Sequence, residues 1–102
     1  MERTDLQPIG EIDRLVHEPA RLMILAILSV VESADFLFML HPTGLTRGNL
    51  SSHMSRLEAA GYMDIKKEFV DKTPRTPLRL TDEGREAFEA YRQGMLEVLG
   101  RT

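Results

Sequence analysis

The sequence predicts a mainly α-helical domain that carries a single β-hairpin. Over most of the chain, apolar residues recur at spacings of three and four, which is typical of amphipathic helices. Alternation with a period of two is confined to residues 63–69 and is typical of a half-buried strand. With 102 residues, of which 42% are hydrophobic, the chain is long enough for one compact domain and too short for two. We therefore expect residues 1–102 to form a single domain.

Composition excludes several kinds of site and protein. The chain has no cysteine, which removes disulfides, thiolate metal sites and cysteine nucleophiles. The longest apolar run, residues 22–31, is about half as long as a membrane span. The first residues are polar and mixed in charge, unlike a signal peptide. These features predict a cytoplasmic protein.

Two helices are predicted in the N-terminal part. The apolar spacing over residues 9–16 predicts a short amphipathic helix, which Glu18 and Pro19 interrupt. Because proline favours the first position of a helix, a second helix is expected to begin at Pro19 and to run to about residue 31. This second helix is apolar almost all round, which predicts a central position.

A helix-turn-helix is predicted over about residues 34–60. A short helix capped by Ser33 is expected over residues 34–40, and Pro42 with the following glycine is expected to end it. A longer helix follows over residues 46–60. A short helix, a turn that contains glycine and a longer helix are the order of this motif. The residues of the short helix that are expected to face inward are Phe36, Leu37 and Leu40.

The longer helix of this motif has one apolar stripe and one polar face. Leu50, Met54 and Leu57 stand at i, i+4 and i+7, so we expect them to be buried. The opposite face has no long apolar side chain and could enter a major groove about 12 Å wide. A merely solvated face, the alternative, is more often rich in Glu and Lys. The predicted DNA contacts of this helix are Thr46, which also caps it, Arg47, Asn49, Ser51, Ser52, His53 and Arg56.

The hairpin is predicted after this motif. The alternation over residues 63–69 places Phe69 on the half-buried side of a first strand. Residues 70–77 are polar, contain two prolines and are expected to form a loop. Residues 78–80 are expected to form a short return strand, with Pro77 tolerated at its start or on a sheet edge.

One long helix is predicted over about residues 82–99. Thr81 is expected to cap it, and Asp82 and Glu83 are favourably placed for the helix dipole. Because the other elements already supply a core for so small a chain, we expect its apolar stripe, with part of the first helix, to form a homodimer interface. Packing of the stripe on its own domain is the alternative. The predicted interface residues are Ile9, Ile12, Phe88, Tyr91, Met95, Val98 and Leu99.

Charge is distributed unevenly along the chain. The formal net charge is −3, which by itself does not favour a nucleic-acid partner. Residues 41–80 nevertheless carry seven basic and four acidic side chains, whereas both flanking segments carry more acids than bases. The basic part of the chain therefore coincides with the predicted helix-turn-helix and hairpin.

Three segments resemble a known family. Residues 45–62, LTRGNLSSHMSRLEAAGY, resemble the recognition helix of winged helix-turn-helix transcriptional regulators of the ArsR and MarR type. Residues 17–22, HEPARL, are similar to the opening of the second helix in the ArsR group. Residues 78–85, LRLTDEGR, are similar to the end of the wing and the start of the last helix in the MarR group. The resemblance covers about residues 14–92 and is best to short, single-domain members.

The resemblance implies a winged helix-turn-helix fold: a three-helix core, a wing and an added C-terminal helix. The hairpin, over about residues 62–80, would be the wing, whose tip lies along the DNA backbone or in the minor groove. Arg75 is the strongest candidate there, because Pro74 and Pro77 limit the freedom that it loses on binding. A solvated hairpin with incidental charges is the alternative. The expected wing contacts are Lys66, Lys72, Thr73 and Arg75.

Neither a metal site nor an enzyme is expected. Metal sensors of the ArsR group resemble one another in carrying cysteines in the first helix of the motif, and this chain has none. His17, His41 and His53 share no spacing on one helix face, so no metal or other cofactor is expected. Ser52 and His53 do not form a nucleophile and base pair, because adjacent residues of a helix point about 100° apart.

The predicted function is sequence-specific binding of duplex DNA by a homodimer that regulates transcription. The expected partners are double-stranded DNA and a second copy of the chain, with no membrane. The alternative is a winged-helix module that binds proteins and no DNA. The salt dependence of DNA binding separates the two, because a DNA-binding protein loses affinity steeply as salt rises. The operator, the sign of regulation and any effector do not follow from the sequence.

Overall fold

Helices make up most of the molecule, and a small antiparallel sheet lies beside them. The computed structural model describes residues 13–100. Within this range the helices are α1 (Pro19–Ser29), α2 (Phe36–Thr43), α3 (Arg47–Ala59) and α4 (Asp82–Leu99). The strands are β1 (Ala34–Asp35), β2 (Met63–Ile65), β3 (Glu68–Val70), β4 (Thr73–Arg75) and β5 (Pro77–Leu80). The predicted fold class, a mainly α domain with a hairpin wing and a C-terminal helix, is confirmed.

The core lies where α1, α2 and α3 meet the sheet. Every helix of this group and the strands β2 and β5 contribute side chains to it, so the core joins the helices to the sheet. The apolar stripe of α3 is buried as predicted. The buried cluster consists of Val16, Ile24, Leu25, Leu28, Met39, Leu50, Met54, Leu57, Met63, Leu78 and Leu80.

Side chains cap the helix N-termini at the positions that the sequence predicts for α1, α3 and α4. Pro19 is the first residue of α1, and the carboxylate of Glu18 before it accepts two of the free backbone N–H groups. Thr46 and Thr81 accept one backbone N–H each at the starts of α3 and α4. Such a cap stabilises a helix by about 1 kcal/mol.

The start of the short helix differs from the prediction. Residues 34–35 form β1 beside β5, and Asp35 rather than Ser33 caps α2. The other carboxylate oxygen of Asp35 accepts the backbone N–H of Thr76 at 2.9 Å, and the N–H of Phe36 donates to the Thr76 carbonyl at 2.9 Å. These hydrogen bonds to a distant part of the chain hold residues 34–35 extended, and no local sequence signal reveals them.

The inward face of α2 also differs from the one that the sequence predicts. Leu37, predicted to face inward, is 51% exposed, whereas Met39 is fully buried. Because the helix begins at Phe36, its buried stripe runs from there to Thr43 at i, i+3, i+4 and i+7. Pro42 does not end the helix but lies exposed in its last turn, where the missing N–H removes only one hydrogen bond.

The prediction of a loop over residues 70–77 is wrong. This segment contains β4, which pairs with β3, and a two-residue turn at Asp71 and Lys72. Their φ angles are 50° and 65°, as in the tight turns that match the twist of a hairpin. Most of β3 lies within the predicted first strand, whereas β4 was missed because its residues are exposed and show no apolar alternation. Pro77 stands at the start of β5, as expected.

β2 to β5 form one continuous two-stranded ribbon over residues 63–80. Met63 lies opposite Leu80 at one end and Val70 opposite Thr73 at the other, with the same register throughout. A backbone hydrogen bond of 3.3 Å continues the ladder between the two pairs of strands. β1 adds a third strand on the far side of β5.

Phe69 is 76% exposed, although the alternation predicts that it is half-buried. The phase of the alternation is nevertheless correct, since Met63 is buried and Ile65 half-buried on the same side of the strand. The ribbon simply extends beyond the body of the domain. From residue 66 to residue 75 every side chain is exposed.

The predicted first helix, residues 9–16, is not helical in its described part. Its first four residues, which include Ile9 and Ile12, lie outside the described range. Residues 13–18 form a turn closed by short-range backbone hydrogen bonds, and Val16 is fully buried. Because the residue before a proline avoids helical dihedral angles, this turn cannot continue into α1.

Two residues at the start of α4 fix it to the body of the domain. A methyl group on Gly84 would overlap the carbonyl oxygen of Tyr62, so the close approach requires glycine. The guanidinium of Arg85 donates to the carbonyl oxygens of Ser29 and Val31, both at 3.2 Å. Arg85 thereby satisfies carbonyls at the end of α1 and just beyond it. Among the described residues, no helix is long and apolar enough to cross a membrane.

Candidate nucleic-acid interface

α3 presents a polar face to solvent. Its apolar stripe is buried in the core, so the remaining face is free of large apolar side chains. A methyl group added to Gly48 would meet no atom within 4 Å, and residues 46–49 are all exposed at this end of the helix. The predicted contact residues that are exposed here are Thr46, Arg47, Asn49, Ser51, Ser52 and Arg56.

His53 is placed differently from the other predicted contacts. Its side chain is mostly covered, and its Nδ1 lies 3.0 Å from Nη1 of Arg21 and 3.6 Å from Oε2 of Glu18. Burial raises the pKa of Glu18, but the backbone N–H groups of Arg21 and Ala20 and the nearby charges outweigh it and lower the pKa. His53 thus ties α3 to the start of α1. Its contact with a base stays a prediction.

The ribbon has two faces because its side chains alternate. The outer face carries Lys66 and Arg75, together with a shallow pocket beside Lys66. The inner face is on the same side of the ribbon as the side chains of β2 and β5 that are buried in the core. We define the inner face by Met63, Ile65, Lys67 and Phe69 on one strand and by Pro74, Thr76, Leu78 and Leu80 on the other.

A cleft of about 390 Å³ lies between α3 and the inner face of the ribbon. Its floor is apolar, whereas hydroxyl groups and two opposite charges line its rim. The cleft is the inside of the angle between the helix and the projecting hairpin. The lining residues are Phe36, Met54 and Ile65 on the floor and Ser51, Ser55, Glu58, Lys67 and Thr76 on the rim.

The arginine and lysine side chains of α3 and of the ribbon form no ion pair within residues 13–100. The ion pairs in this range are those of His53 with Glu18 and of Arg92 with Glu89. Glu68 lies directly opposite Arg75 across the ribbon, but the two charges are not within bonding distance. The unpaired cations that could hold an anionic partner are Arg47, Arg56, Lys66, Lys67, Lys72, Arg75 and Arg79.

This arrangement of helix, cleft and hairpin corresponds to a known family of domains. A family model described as a winged helix DNA-binding domain matches residues 20–99. The chain belongs to this family. The ribbon is accordingly the wing of a winged-helix domain, and α2 and α3 are its helix-turn-helix.

Two proteins resemble this winged-helix domain over most of their length. The chain is 31% identical over 85 residues to the uncharacterized protein MJ0432 of Methanocaldococcus jannaschii, a match that covers 83% of this chain and 92% of that protein. It is 30% identical to a transcriptional regulator homologue from Pyrococcus horikoshii, whose structure superposes with a TM-score of 0.89. That superposition covers 94% of this chain and 97% of the other.

Two more distant solved structures share the fold. The homodimeric winged helix-turn-helix DNA-binding domain of Mb0332 from Mycobacterium bovis is 17% identical, with a TM-score of 0.72 over 95% of this chain and 86% of that one. The transcriptional repressor CouR, bound to a 23-mer DNA duplex, is 21% identical, with a TM-score of 0.68 over 94% of this chain and 75% of that one. At these identities the likeness is one of fold.

The apolar stripe of the C-terminal helix is partly buried within the winged-helix domain and partly exposed. Phe88 and Tyr91 are half-buried against the domain's own core, and the Tyr91 hydroxyl lies 2.9 Å from Nδ1 of His17. Val98 is buried, Met95 is half-buried and Leu99 is exposed. Part of the stripe therefore packs within the domain, and its role in a dimer stays a prediction.

Some of the residues that meet in the cleft were not among the predicted DNA contacts. Ser55 follows Ser51 by one turn of α3, and this spacing was a usable signal for a shared face. Phe36 and Thr76 meet there only because β1 pairs with β5, which no local pattern shows. In the part of the chain that the structure describes, no three His, Asp or Glu side chains gather as a metal site would require.

Proposed function

We propose that this protein is a sequence-specific DNA-binding transcriptional regulator that acts as a homodimer on duplex DNA. The observation that carries the proposal is the exposed polar face of α3 beside a projecting wing, with unpaired cations on both. The family model is that of a DNA-binding domain, and the Pyrococcus horikoshii neighbour is a transcriptional regulator homologue. The same fold is seen on a DNA duplex in CouR.

α3 enters the major groove in this proposal. Asn49 and Ser52 stand one turn apart on its exposed face, and their side chains can bond to base edges. Thr46 and Arg47 lie at the N-terminus of the helix, where backbone N–H groups and the helix dipole favour a phosphate. The other contacts of this helix are assigned to Ser51, His53 and Arg56.

The wing holds the DNA backbone beside the segment that α3 reads. Lys72 and Thr73 stand at the turn of the ribbon, and Lys66 and Arg75 project from its outer face. All four side chains are exposed. Such contacts fix the position and orientation of the protein on the duplex and carry little sequence information.

The homodimer is assigned to α4 and to the N-terminal segment with Ile9 and Ile12. A twofold axis would place two copies of α3 about 34 Å apart, one turn of duplex. The Mycobacterium bovis neighbour is a homodimeric domain of this fold. Residues 1–102 then act as one unit, with a reading motif over about 34–60, a wing over about 62–80 and a dimerisation helix over about 82–99.

The proposal is tested by selecting bound sequences from a pool of random duplex DNA with the purified protein. We expect one enriched motif with internal twofold symmetry, and binding that weakens steeply with salt. Failure to enrich any motif, together with binding that is insensitive to salt, would favour the protein-binding module instead.

A matched pair of arginine variants makes this test sharper. Arg75→Ala is expected to weaken binding to selected and mixed-sequence duplexes alike and to reduce the slope of log Kd against log salt by about one unit. Arg92→Ala is the control, because Arg92 is also an exposed arginine but lies on α4, where it pairs with Glu89. Equal slopes for the two variants would contradict the assignment of the wing.

A further inference from the structure

The wing carries an aromatic side chain that neither the core nor the contacts proposed above use. Phe69 is 76% exposed and lies directly opposite Pro74 across the ribbon. Val70, the next residue, is 49% exposed. Single exposed apolar residues are common, so the position of Phe69 decides what it can do.

Phe69 faces the same side of the ribbon as the cleft between α3 and the wing. The strands keep one register along the whole ribbon. On the inner face, the pair Phe69 and Pro74 therefore comes next after the pair Lys67 and Thr76 in the direction of the turn. Lys67 and Thr76 line the cleft. The apolar pair therefore extends the concave surface toward the turn, on the side where α3 presents its polar face.

Cations that form no ion pair within residues 13–100 lie near this apolar pair in the ribbon. Lys67 is on the same face, Lys72 is in the turn and Arg75 follows Pro74. A minor groove offers the matching chemistry, because its walls are deoxyribose rings and its two edges are lines of phosphates. The groove is about 6 Å wide, and phenylalanine and proline are among the side chains that proteins insert into it.

We propose that Phe69 and Pro74 form an apolar wedge that enters the minor groove of the DNA beside the segment read by α3. This inference rests on the proposed function. Phe69 packs against deoxyribose and loosens the stacking of one base step, while Lys67 and Lys72 face the phosphates on either side. The wing then selects DNA that bends easily at this step, so the site would include a flexible position that no polar side chain reads.

The test compares Phe69→Ala with Phe38→Ala on duplexes recovered by the selection, with end labels that report the bend by energy transfer. Phe38 is 61% exposed and lies on α2, outside α3 and the wing, so its variant removes the same kind of surface elsewhere. We expect Phe69→Ala to weaken binding roughly tenfold, as loss of a buried aromatic contact would. We also expect a smaller bend, an unchanged salt slope and unchanged thermal stability.

The outcomes separate this inference from the proposed function. If wild-type protein binds a selected duplex but Phe69→Ala has the affinity and bend of Phe38→Ala, the wedge is overturned and the proposed function stands. If wild-type protein binds no duplex, both are overturned. If Phe69→Ala changes the molar mass in light scattering, Phe69 belongs to a contact between copies and the wedge is overturned.

Discussion

At the scale of single residues, a few long-range polar contacts hold the N-terminal turn against the winged-helix body. The Tyr62 hydroxyl donates to Oδ2 of Asp13 at 2.6 Å. His17 reaches Tyr91 on α4, and Glu18 at the end of the turn lies 3.6 Å from His53 on α3. Hydrogen bonds of this kind stabilise modestly when made but cost more when a covered partner is left without one.

The contact of Tyr62 with Asp13 predicts a loss of stability in alkali. The hydrogen bond to the Asp13 carboxylate, assisted by burial and by the charges of Asp13 and Glu83, raises the pKa of Tyr62 to about 12. In the unfolded chain the pKa is about 10. The pKa of Tyr62 is higher in the folded protein than in the unfolded chain. The hydrogen bond therefore contributes fully to the free energy of unfolding below about pH 10, and this contribution is lost as the pH rises toward about 12.

Urea unfolding of wild-type protein and Tyr62→Phe between about pH 8 and 12 measures this contribution. We expect wild type to be the more stable by roughly 1 kcal/mol at the lower pH, as one hydrogen bond implies. The difference is expected to vanish toward the upper pH. The two proteins differ only in the hydroxyl group of Tyr62, so a difference that stays constant with pH would contradict the hydrogen bond.

The close contact of Gly84 with Tyr62 predicts that alanine substitutions at two glycines of α4 have opposite effects on stability. Gly84→Ala is expected to destabilise the domain by about 1–3 kcal/mol, because the added methyl forces α4 away from the Tyr62 carbonyl. Gly94→Ala, where the added methyl meets no atom within 4 Å, is expected to stabilise by roughly 0.5–1 kcal/mol through helix propensity. Thermal unfolding of the two variants checks this, and equal effects would contradict the packing of α4.

At the scale of elements, the helix and hairpin signals that are local were readable in the sequence. Pro19 marks the start of α1 as its first residue, and Thr46 and Thr81 mark the starts of α3 and α4 as their caps. The stripe of α3 follows from its spacing. β1 was not readable, because Asp35 is held extended by its hydrogen bond to Thr76. β4 was not readable either, since all three of its residues are exposed and carry no apolar alternation.

The element that the dimer proposal needs is α4. Its first half is anchored on the core through Phe88 and Tyr91, and Val98 in its second half is buried as well. Leu96 is exposed there beside the predicted Leu99, and the sequence stripe did not include it. The interface is therefore expected to be centred nearer the C-terminus than the sequence alone suggests.

The double variant Leu96→Glu, Leu99→Glu is expected to be a folded monomer with DNA affinity reduced at least about a hundredfold, because the two half-sites are no longer bound together. Light scattering and circular dichroism check its mass and fold. Ala90→Glu, an exposed position in the first half of α4, is the control and should leave the dimer intact. A dimer that persists in the double variant would place the interface elsewhere.

At the scale of the whole molecule, a chain of net charge −3 concentrates its cations on the face that the proposal gives to DNA. The basic residues of α3 and the wing are unpaired, whereas Arg85 and Arg92 on α4 are bound to carbonyls or to an acid. The acidic remainder confines the positive field to one side. The charge count along the sequence indicated that the basic residues are concentrated in residues 41–80. Which arginines form hydrogen bonds or ion pairs depends on tertiary contacts.

The central claim is that two copies of α3 read neighbouring turns of one duplex. Hydroxyl-radical and methylation footprinting of the selected site with wild-type protein tests it most directly. We expect two protected segments related by twofold symmetry and about 10 base pairs apart, with protected major-groove guanines inside each. A footprint without symmetry, a single protected segment, or no protection at concentrations that saturate binding would contradict the claim.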